Sequence, residues 1–543
     1  MRLSFSETPP PEALLCEWIE PGLREIPGQD PLGLQTITTD RILPGLLPGV
    51  LALSRRARYF SIYAFLLKRY QDKQLPANNS ALDEFIRKRE FELAVAFNLC
   101  QNPDCNASGG IGNLVAWPLA EARPAHYDRQ LSIKSNLGGY GLYYRSPMEE
   151  LGIVVRAGKG TIGDEPIAVD ALHRTRRAVC LAEEFGRSIE QTRWFKDYLH
   201  SVDPIPSDVL EELSRSACLC RLGEHPAERQ AIRDALLIEP NDDRREPTQK
   251  RRGAFALLLE QMSEQPDVAD SDSAFRERVI TSYEHPNRHV GARQTAYDQW
   301  AAMIMRECLQ DSISTIWLAF CRAGLKNQPF EGCTADELRD LIKDQLFADG
   351  AVRIGEVTVS TSHADSASDW LKDLRSACKD LEWEALRNLA AESKSGLFGL
   401  AVLLVLAARV PKQGEPRPEW ELVACANGDS QPGLRRLVSI LNSQLDDGQS
   451  VLGLLESFVL RFIVAIHETV AMAKLPNSTF RFYWEHGRLR FVDNGVWRFD
   501  PSGLRREALA QLSRDLGWWH ADENGSARIT NDGRSVIDEV FGA

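Results

Sequence analysis

The stretch LRREALAQLSRDLGWWHADENGSARITNDGRSVIDEVF, residues 504–541, predicts a helix, a hairpin and a second helix. Up to Leu516 its apolar residues recur at helical spacing, so they form one face of a helix. Gly517 follows directly, where a left-handed backbone conformation costs glycine little. Asn524-Gly525 is a strong signal for a tight hairpin turn. This order is typical of the C-terminal half of a winged-helix unit, although a small α/β cap closing a core has the same pattern.

The helices that should precede the hairpin of a winged helix are less clear in this part of the chain. Residues 480–499 instead predict a strand pair, with turns at His486-Gly487 and Asn494-Gly495. We therefore expect a small α/β unit at residues 480–543, which combines the strand pair with the winged-helix-like pattern.

An imperfect copy of the pattern lies at residues 134–185. Leu151-Gly152 is expected to end a first helix. The apolar stretches 153–155 and 167–169 then lie on either side of a glycine-containing turn, and a helix is expected from Asp170 to Phe185. The sequence thus predicts two winged-helix-like units in one chain.

The rest of the sequence is dominated by helical periodicity, so we predict a mainly α, multi-domain protein. Its 543 residues correspond to roughly three or four domains. A hydrophobic fraction of 43% and a charged fraction of 26% are typical of a globular protein. The predicted segments are an N-terminal helical domain with the first winged-helix-like unit at 1–190, a helical segment at 191–262, a central helical domain at 263–410, and a C-terminal domain with the strand pair and the second unit at 411–543.

Hydropathy predicts a cytoplasmic protein that does not interact with membranes. The N-terminal residues contain no apolar core long enough for a signal peptide. The longest uncharged apolar run, Ser395 to Ala408, is too short to span a bilayer as a helix. We expect it to be a buried core helix.

Eleven scattered cysteines without an export signal indicate reduced thiols rather than a disulfide framework. Two close pairs stand out, Cys100 with Cys105 and Cys218 with Cys220. A four-thiolate zinc site is one arrangement that would join them, because zinc favours paired cysteines. Neither pair has the common C-x2-C spacing, however, so the favoured prediction is buried thiols, with no metal and no cofactor.

The distribution of charge suggests one nucleic-acid surface. A net charge of −13 argues against a protein that coats nucleic acid, which needs an excess of basic residues. Residues 123–177 nevertheless carry nine basic and six acidic side chains, and Tyr140, Tyr143 and Tyr144 either stack on bases or pack in a core. The predicted DNA-contacting residues are Arg145, Arg156, Lys159, Arg174, Arg176 and Arg177.

Arginines are also crowded into a predicted helix start. Arg55, Arg56 and Arg58 lie in the first turn of a deeply buried helix, where the helix dipole disfavours them. They are expected to pair with carboxylates from elsewhere, and a phosphate is the alternative partner. Near the C-terminus, Trp518 and Trp519 are the predicted anchors for a partner protein.

The sequence contains no complete catalytic signature, and we predict no catalytic residue. His467-Glu468 resembles the start of a zinc-protease motif, but Ala471 stands where the second histidine is needed. A metal-dependent nuclease stays open as an alternative. Its carboxylates would be Asp164 and Glu165 near Lys159, or Asp242 and Asp243 near Lys250, although neither set has the usual strand-embedded arrangement.

Three segments together resemble a family of uncharacterised bacterial proteins associated with multi-gene antiviral defence or mobile-element loci. The segments are Asp30 to Gly33 followed by Arg56 to Phe60, Cys218 to Arg229, and His467 to Lys474 leading into Phe480 to Phe482. The resemblance implies an assembly of several components and carries over no catalytic residue. We therefore expect a non-catalytic component that binds other protein subunits of the same system and DNA through residues 123–177. The alternative is a nuclease or a DNA-sensing subunit of such a system.

Overall fold

The computed structural model describes residues 30–542 with short gaps. The residues outside the description are 1–29, 104, 106–109, 160, 163–164, 239–244, 285–289, 328, 330, 349, 411–432, 476–478, 496–502 and 543.

The described chain is mainly α-helical, as the sequence predicted. Its helices, in chain order, are α1 Leu34–Ile37, α2 Leu43–Leu46, α3 Arg58–Asp72, α4 Asn79–Asn98, α5 Asn113–Ala122, α6 Arg145–Glu150, α7 Arg176–Ile189, α8 Ser207–Ala217, α9 Pro226–Leu237, α10 Arg245–Glu264, α11 Asp272–Glu284, α12 Gly291–Asn327, α13 Ala335–Leu341, α14 Ala367–Ala377, α15 Trp383–Glu392, α16 Gly396–Arg409, α17 Gly433–Asp446, α18 Val451–Phe458, α19 Ala465–Ala473, α20 Arg506–Asp515 and α21 Asn531–Phe541. Short 3₁₀ turns at Leu219–Glu224 and Pro266–Ala269 connect some of them.

The strands of the described chain are short and form antiparallel pairs. The pairs are β1 His126–Tyr127 with β6 Ile205–Pro206, β2 Val154–Val155 with β5 Ala171–Leu172, β3 Thr161–Ile162 with β4 Glu165–Pro166, β7 Ala351–Ile354 with β8 Val357–Ser360, β9 Phe482–Glu485 with β10 Arg488–Phe491, and β11 Trp519–Ala521 with β12 Ala527–Ile529.

The chain divides into two compact units, each assembled from separate stretches of sequence. Among the described residues, unit 1 comprises those from 30–45 and 276–502, and unit 2 those from 46–275 and 503–542. The strand pair β9–β10 therefore belongs to unit 1, whereas the helix–hairpin–helix at the C-terminus belongs to unit 2. The finer division into four segments stays a prediction.

Unit 2 is organised around α3, which is buried on nearly every face. It packs against α7 and α9, and an aromatic cluster surrounds its first two turns. In that cluster the ring of Tyr63 lies 5.4 Å from the rings of both Tyr140 and Tyr144. Because Tyr140 and Tyr144 are fully buried here, they pack in the core and do not present faces for stacking on bases.

The arginines at the start of α3 pair with carboxylates, as predicted. Arg55 pairs with Glu507 and Arg56 with Asp515, both within unit 2. The Asp515 carboxylate also accepts the backbone N–H of Ala57 at 3.0 Å. These contacts fasten α20 to the start of α3.

The predicted order of helix, hairpin and helix at the C-terminus is confirmed by α20, β11–β12 and α21. Gly517 ends α20 with φ +73°, as expected for a glycine in that position. The hairpin loop is wider than predicted, because only Gly525 of the Asn-Gly pair has a positive φ. Asp522 closes this loop by accepting the backbone N–H groups of Asn524 and Ser526, each at 2.9 Å.

The copy at residues 134–185 differs from its prediction in register. Val154–Val155 pairs with Ala171–Leu172 rather than with residues 167–169. The following helix begins at Arg176 rather than at Asp170, since Thr175 caps it by accepting the N–H of Ala178.

Unit 1 is organised around α12, a helix of 37 residues that is buried along most of its length. It packs against α15 and α16. The apolar run predicted as a core helix forms α16, which is capped by Ser395 and buried. The hairpin β9–β10 turns at His486-Gly487, both with positive φ, as predicted. Among the described helices, none is both long and apolar enough to cross a membrane.

Candidate functional site

Four cysteine thiols meet in unit 2, and we call Cys100, Cys105, Cys218 and Cys220 the thiol cluster. Their sulfur atoms all lie within 4.8 Å of one another. The Cys100 and Cys220 sulfurs are 3.7 Å apart, and the Cys105 and Cys218 sulfurs are 3.5 Å apart. Cys218 is buried and the other three are half-buried. The structure therefore joins the two pairs that the sequence offered separately, in the arrangement of the zinc alternative.

The ends of two neighbouring helices position the thiol cluster. Helix α4 ends at its cap Leu99, so Cys100 and Cys105 lie in the connection to α5. Cys218 is the cap residue of α8, and Cys220 follows in a 3₁₀ turn. Because α4 packs against α8, the two connections lie side by side. Cysteines from a loop and a tight turn meet here without C-x2-C spacing, so that spacing alone does not exclude a metal site.

A buried arginine fixes the Cys218 side of the cluster. Arg58 donates from one guanidinium nitrogen to the carbonyls of Ser216 and Cys218, both at 2.7 Å. It also forms a two-point ion pair with Glu228, at 3.0 and 2.8 Å, and both side chains are fully buried. Ser61 donates a hydrogen bond of 2.6 Å to the same carboxylate. Two segments of the sequence resemblance thus meet here, and their shared function in the structure is to hold the turn that carries Cys218 and Cys220.

The thiols of the cluster influence one another's ionisation. Hydrogen bonds from neighbouring thiols, foremost from Cys218, lower the pKa of Cys220 to about 5. Burial raises the pKa of Cys105 to about 11, and the hydrogen bond to Cys220 is the main cause of the raised pKa of Cys218. The hydrogen bonds within the cluster therefore favour ionisation of Cys220 over that of Cys105 and Cys218.

The predicted DNA-contacting arginines are mostly engaged within unit 2. Arg145 pairs with Asp170, and its second nitrogen donates to the same carboxylate at 2.7 Å. Arg156 pairs with Glu149 at 3.0 Å. Arg177 donates to the carbonyls of Leu151 and Ile238.

Three of the six predicted basic residues remain well exposed, namely Lys159, Arg174 and Arg176. Two further basic residues of the 123–177 segment also pair with acids that lie outside it, Arg123 with Glu211 and Arg129 with Glu92. The excess of positive charge at the surface of residues 123–177 is therefore smaller than the number of basic residues in that segment indicates.

The two tryptophans predicted as partner anchors are buried in unit 2. Trp518 is 2% exposed and packs edge-on against Phe255 of α10. Trp519 is 6% exposed and donates its ring N–H to the Ala510 carbonyl at 2.8 Å. They anchor the hairpin to its own unit, so we do not assign them to a partner surface.

An exposed apolar face on α5 is a feature that the sequence did not single out. Leu114 is 94% exposed and Trp117 is 50% exposed, one turn apart on the same face as the exposed Pro118. Ala116 and Ala120 are buried on the other side of the helix, which packs against α4. The segment NLVAWPLAEA is apolar apart from Asn113 and Glu121, and Glu121 is exposed two turns after Leu114 on the same face. A single charged residue was too weak a signal to identify this face from the sequence.

Unit 1 contains a buried ionic network between α11, α12 and α15. Arg276 lies 3.4 Å from the Glu307 carboxylate and 3.8 Å from that of Glu384. Arg387 pairs with both Glu384 and Asp311. Burial raises the pKa of Glu307 to about 7.

A half-buried acid, Glu277, lies beside this network. Burial, reinforced by the nearby Glu382, Glu384 and Glu284, raises the pKa of Glu277 to about 7. The carboxylate of Glu277 accepts the backbone N–H of Glu384 at 3.1 Å. Two carboxyl groups with raised pKa values, Glu277 and Glu307, therefore lie in and beside the network of Arg276 and Arg387.

In unit 1 His467 contacts Pro31, which belongs to the segment Asp30 to Gly33, and both of its ring nitrogens are engaged by backbone groups. One ring nitrogen lies 2.9 Å from the carbonyl of Pro31, and the other accepts the backbone N–H of Arg481 at 2.9 Å. The neutral ring satisfies both contacts by donating to Pro31. Burial lowers the pKa of His467 to about 4, which keeps the ring neutral.

The candidate nuclease carboxylates are only partly covered by the structure. Asp164, Asp242 and Asp243 lie outside the described residues. Glu165 lies in strand β4. These residues therefore supply no geometry for a metal-dependent cleavage site.

No family model, curated protein or solved structure matches the chain. Function is therefore inferred from the thiol cluster, the exposed face of α5 and the three exposed basic residues.

Proposed function

We propose that the chain is a non-catalytic component of a bacterial multi-protein assembly of the antiviral-defence type, and that it binds a partner subunit through α5. The observation that carries this proposal is the exposed apolar face of α5. The defence setting rests on the resemblance of the three segments, and a cytoplasmic location fits the free thiols of the nine described cysteines.

Helix α5 leaves a large amount of apolar surface in water. A leucine that is 94% exposed beside a half-exposed tryptophan leaves surface whose burial is favourable, at about 25 cal/mol per Å². Tryptophan is enriched among the residues that dominate binding energy in protein interfaces. A helix of ten residues is about 15 Å long, so it supplies the anchor of an interface rather than all of it. The partner best suited to it presents an apolar groove that accepts the leucine and the indole ring.

The test compares two variants that place the same charge on exposed apolar positions of unit 2. Leu114→Glu changes the proposed surface, and Val202→Glu changes a position that is 84% exposed in a loop. Each variant is co-expressed with the products of the neighbouring genes, and the complex is isolated by size-exclusion chromatography. We expect Leu114→Glu to weaken partner affinity at least tenfold and Val202→Glu to retain the partner.

Two results would contradict this proposal. One is a partner that binds wild type and Leu114→Glu equally well. The other is a purified wild-type chain that dimerises through α5, with Leu114→Glu monomeric, since the surface would then join two copies of this chain.

A DNA-binding activity is the second candidate, and the exposure of Lys159, Arg174 and Arg176 favours it. Exposed basic side chains bind phosphates by releasing counterions, so binding weakens steeply with salt. We expect Arg174→Glu with Arg176→Glu to reduce duplex binding, and the salt slope to fall by about one for each phosphate that is no longer neutralised. The control is Lys372→Glu with Lys379→Glu, which changes net charge equally at exposed positions of unit 1. Equal binding by wild type and both variants would remove this candidate.

A further inference from the structure

We propose that Cys100, Cys105, Cys218 and Cys220 bind one zinc ion, which ties the α4–α5 connection to the α8–α9 connection in unit 2. The site is structural, with four protein ligands and no open position for a substrate. It is independent of the proposed partner surface, because it rests on the thiol cluster alone.

The sulfur positions match the dimensions of a tetrahedral zinc site. With zinc–sulfur bonds of about 2.3 Å, neighbouring sulfurs of a tetrahedron lie about 3.8 Å apart. Two of the sulfur pairs in the cluster are at 3.5 and 3.7 Å, and no pair exceeds 4.8 Å. A cation at the centre therefore needs only small side-chain shifts. A four-iron cluster spreads its thiolates more widely than this, so a single ion fits better.

Disulfide pairing explains the cluster less well than a metal does. A disulfide brings two sulfurs to about 2.05 Å, and the observed pairs are separated by ordinary non-bonded distances. All four sulfurs also converge on one point, which two disulfides do not require. Four soft thiolate ligands this close together are the donor set of tetrahedral zinc sites.

The surroundings of the cluster suit an anionic zinc–thiolate centre. Binding forms four zinc–sulfur bonds and releases up to four thiol protons to solvent, which leaves a net charge of about −2 at the site. Asn102 donates its side-chain N–H to the Cys220 sulfur at 3.5 Å. Arg221 is close enough for its charge to interact with Cys100 and Cys220. Such outer contacts orient and stabilise metal-bound thiolates.

The proposed zinc ion cross-links two segments of unit 2 that are far apart in sequence. The turn that carries Cys218 and Cys220 is held on one side by Arg58, which donates to the Cys218 carbonyl at 2.7 Å. On its other side it faces Cys100 and Cys105, which follow α4. The zinc ion joins residues more than 110 positions apart in sequence.

The first measurement is the metal content of the purified full-length chain after any affinity tag has been removed. Elemental analysis by inductively coupled plasma mass spectrometry is expected to find about one zinc ion per chain in wild type. Cys180→Ser is the matched control, since Cys180 is a half-buried cysteine of unit 2 outside the cluster. We expect the control to retain zinc, and Cys218→Ser and Cys220→Ser each to bind zinc at least tenfold more weakly.

Two further measurements keep the test decisive if a serine variant fails to fold. Cys220→His replaces one ligand by another that zinc accepts, and it should retain zinc. In wild type, the four thiols should resist alkylation under native conditions, become reactive after treatment with a chelator, and regain protection when Zn²⁺ alone is added.

Four results would overturn the proposal. These are a folded wild-type chain without metal, iron in place of zinc, a Cys100–Cys220 or Cys105–Cys218 disulfide in the intracellularly produced protein, and zinc that Cys218→Ser and Cys220→Ser both retain. None of these outcomes bears on the partner surface of α5, which is tested separately.

Discussion

Unit 1 contains a buried ionic network and unit 2 a partly buried thiol cluster, and the two differ in how their charges can be balanced. In unit 1, Arg276 and Arg387 neutralise the carboxylates of Glu307, Glu384 and Asp311. In unit 2, four thiols face one another. The nearby guanidinium of Arg58 already forms an ion pair with Glu228, so its charge is balanced by that carboxylate. A buried charge is costly unless it is paired. The ionic network supplies its own counter-charges, whereas the thiol cluster would gain its counter-charge from the proposed zinc ion.

This difference predicts that each unit depends on a different component. Unit 1 should be insensitive to chelators and sensitive to the loss of a single arginine. Unit 2 should be sensitive to chelators, because structural zinc contributes its binding free energy to folding.

The largest expected effect is on unit 2, from Cys105→Ser combined with Cys218→Ser. Apparent binding free energies of structural zinc are on the order of 10 kcal/mol at neutral pH, so this variant should lose most of the local stability around the cluster. Hydrogen exchange measured by mass spectrometry should show faster exchange in α4, α8 and α9. Exchange in α12 and α16 of unit 1 should stay unchanged, and faster exchange spread equally over both units would contradict the contrast.

A smaller effect is expected in unit 1 from Arg387→Ala. Asp311 and Glu384 are 3% and 8% exposed. Removing Arg387 takes one ion pair from each of these buried carboxylates, while Arg276 still lies 3.8 Å from Glu384, and breaking a buried ion pair costs about 3–5 kcal/mol. Hydrogen exchange in α12, measured over a series of denaturant concentrations, gives this change in the free energy of unfolding. Arg339→Ala is the control, because its ion pair with Asp336 is solvent-exposed and worth about 0.5 kcal/mol or less.

The zinc content provides a cross-check on the Arg387→Ala variant. We expect it to equal that of wild type, because Arg387 belongs to unit 1 and the thiol cluster to unit 2. Loss of zinc in this variant would show that the two clusters are not independent.

The smallest predicted effect concerns how the stability of each unit depends on pH. Stability should fall with rising pH in unit 1 and rise with rising pH in unit 2. The pKa of Glu307 and of Glu277 rises from 4.5 to about 7 on folding. The folded state then binds these protons more tightly, so the contribution to stability is fully present below pH 4.5 and is lost as the pH rises through 7. In unit 2, protons compete with zinc for the thiolates, so stability falls as the pH is lowered.

Unfolding followed separately in α12 and α8 between about pH 5 and 8 measures both slopes. Glu307→Gln should flatten the slope in α12 and leave that in α8 unchanged. If the free energy of unfolding changed with pH in the same direction in both units, the proposed difference between arginine and zinc as counter-charges would be contradicted.

Local patterns allowed much of the helical fold to be predicted from the sequence. The spacing of apolar residues before Gly517 and the His486-Gly487 turn depends on neighbouring residues alone, and both predictions are confirmed. The pairing of β2 with β5 was predicted in the wrong register. Thr175 caps the next helix and the buried Asp170 is bound by Arg145, and these contacts move the strand residues to Ala171–Leu172.

The candidate sites were less predictable because they depend on distant contacts. The sequence offered the two cysteine pairs but not their meeting, which is set by the packing of α4 against α8. Trp518 was expected at a surface, yet its contact with Phe255 buries it. Three of the predicted basic residues are engaged by Asp170, Glu149 and backbone carbonyls, and composition alone does not reveal such partners.

X-ray absorption at the zinc K-edge of the purified full-length chain tests the central claim most directly. We predict a single shell of four sulfur scatterers at about 2.3 Å from zinc. A shell dominated by nitrogen or oxygen would place the metal elsewhere, and a sample with no zinc edge would contradict the proposed site.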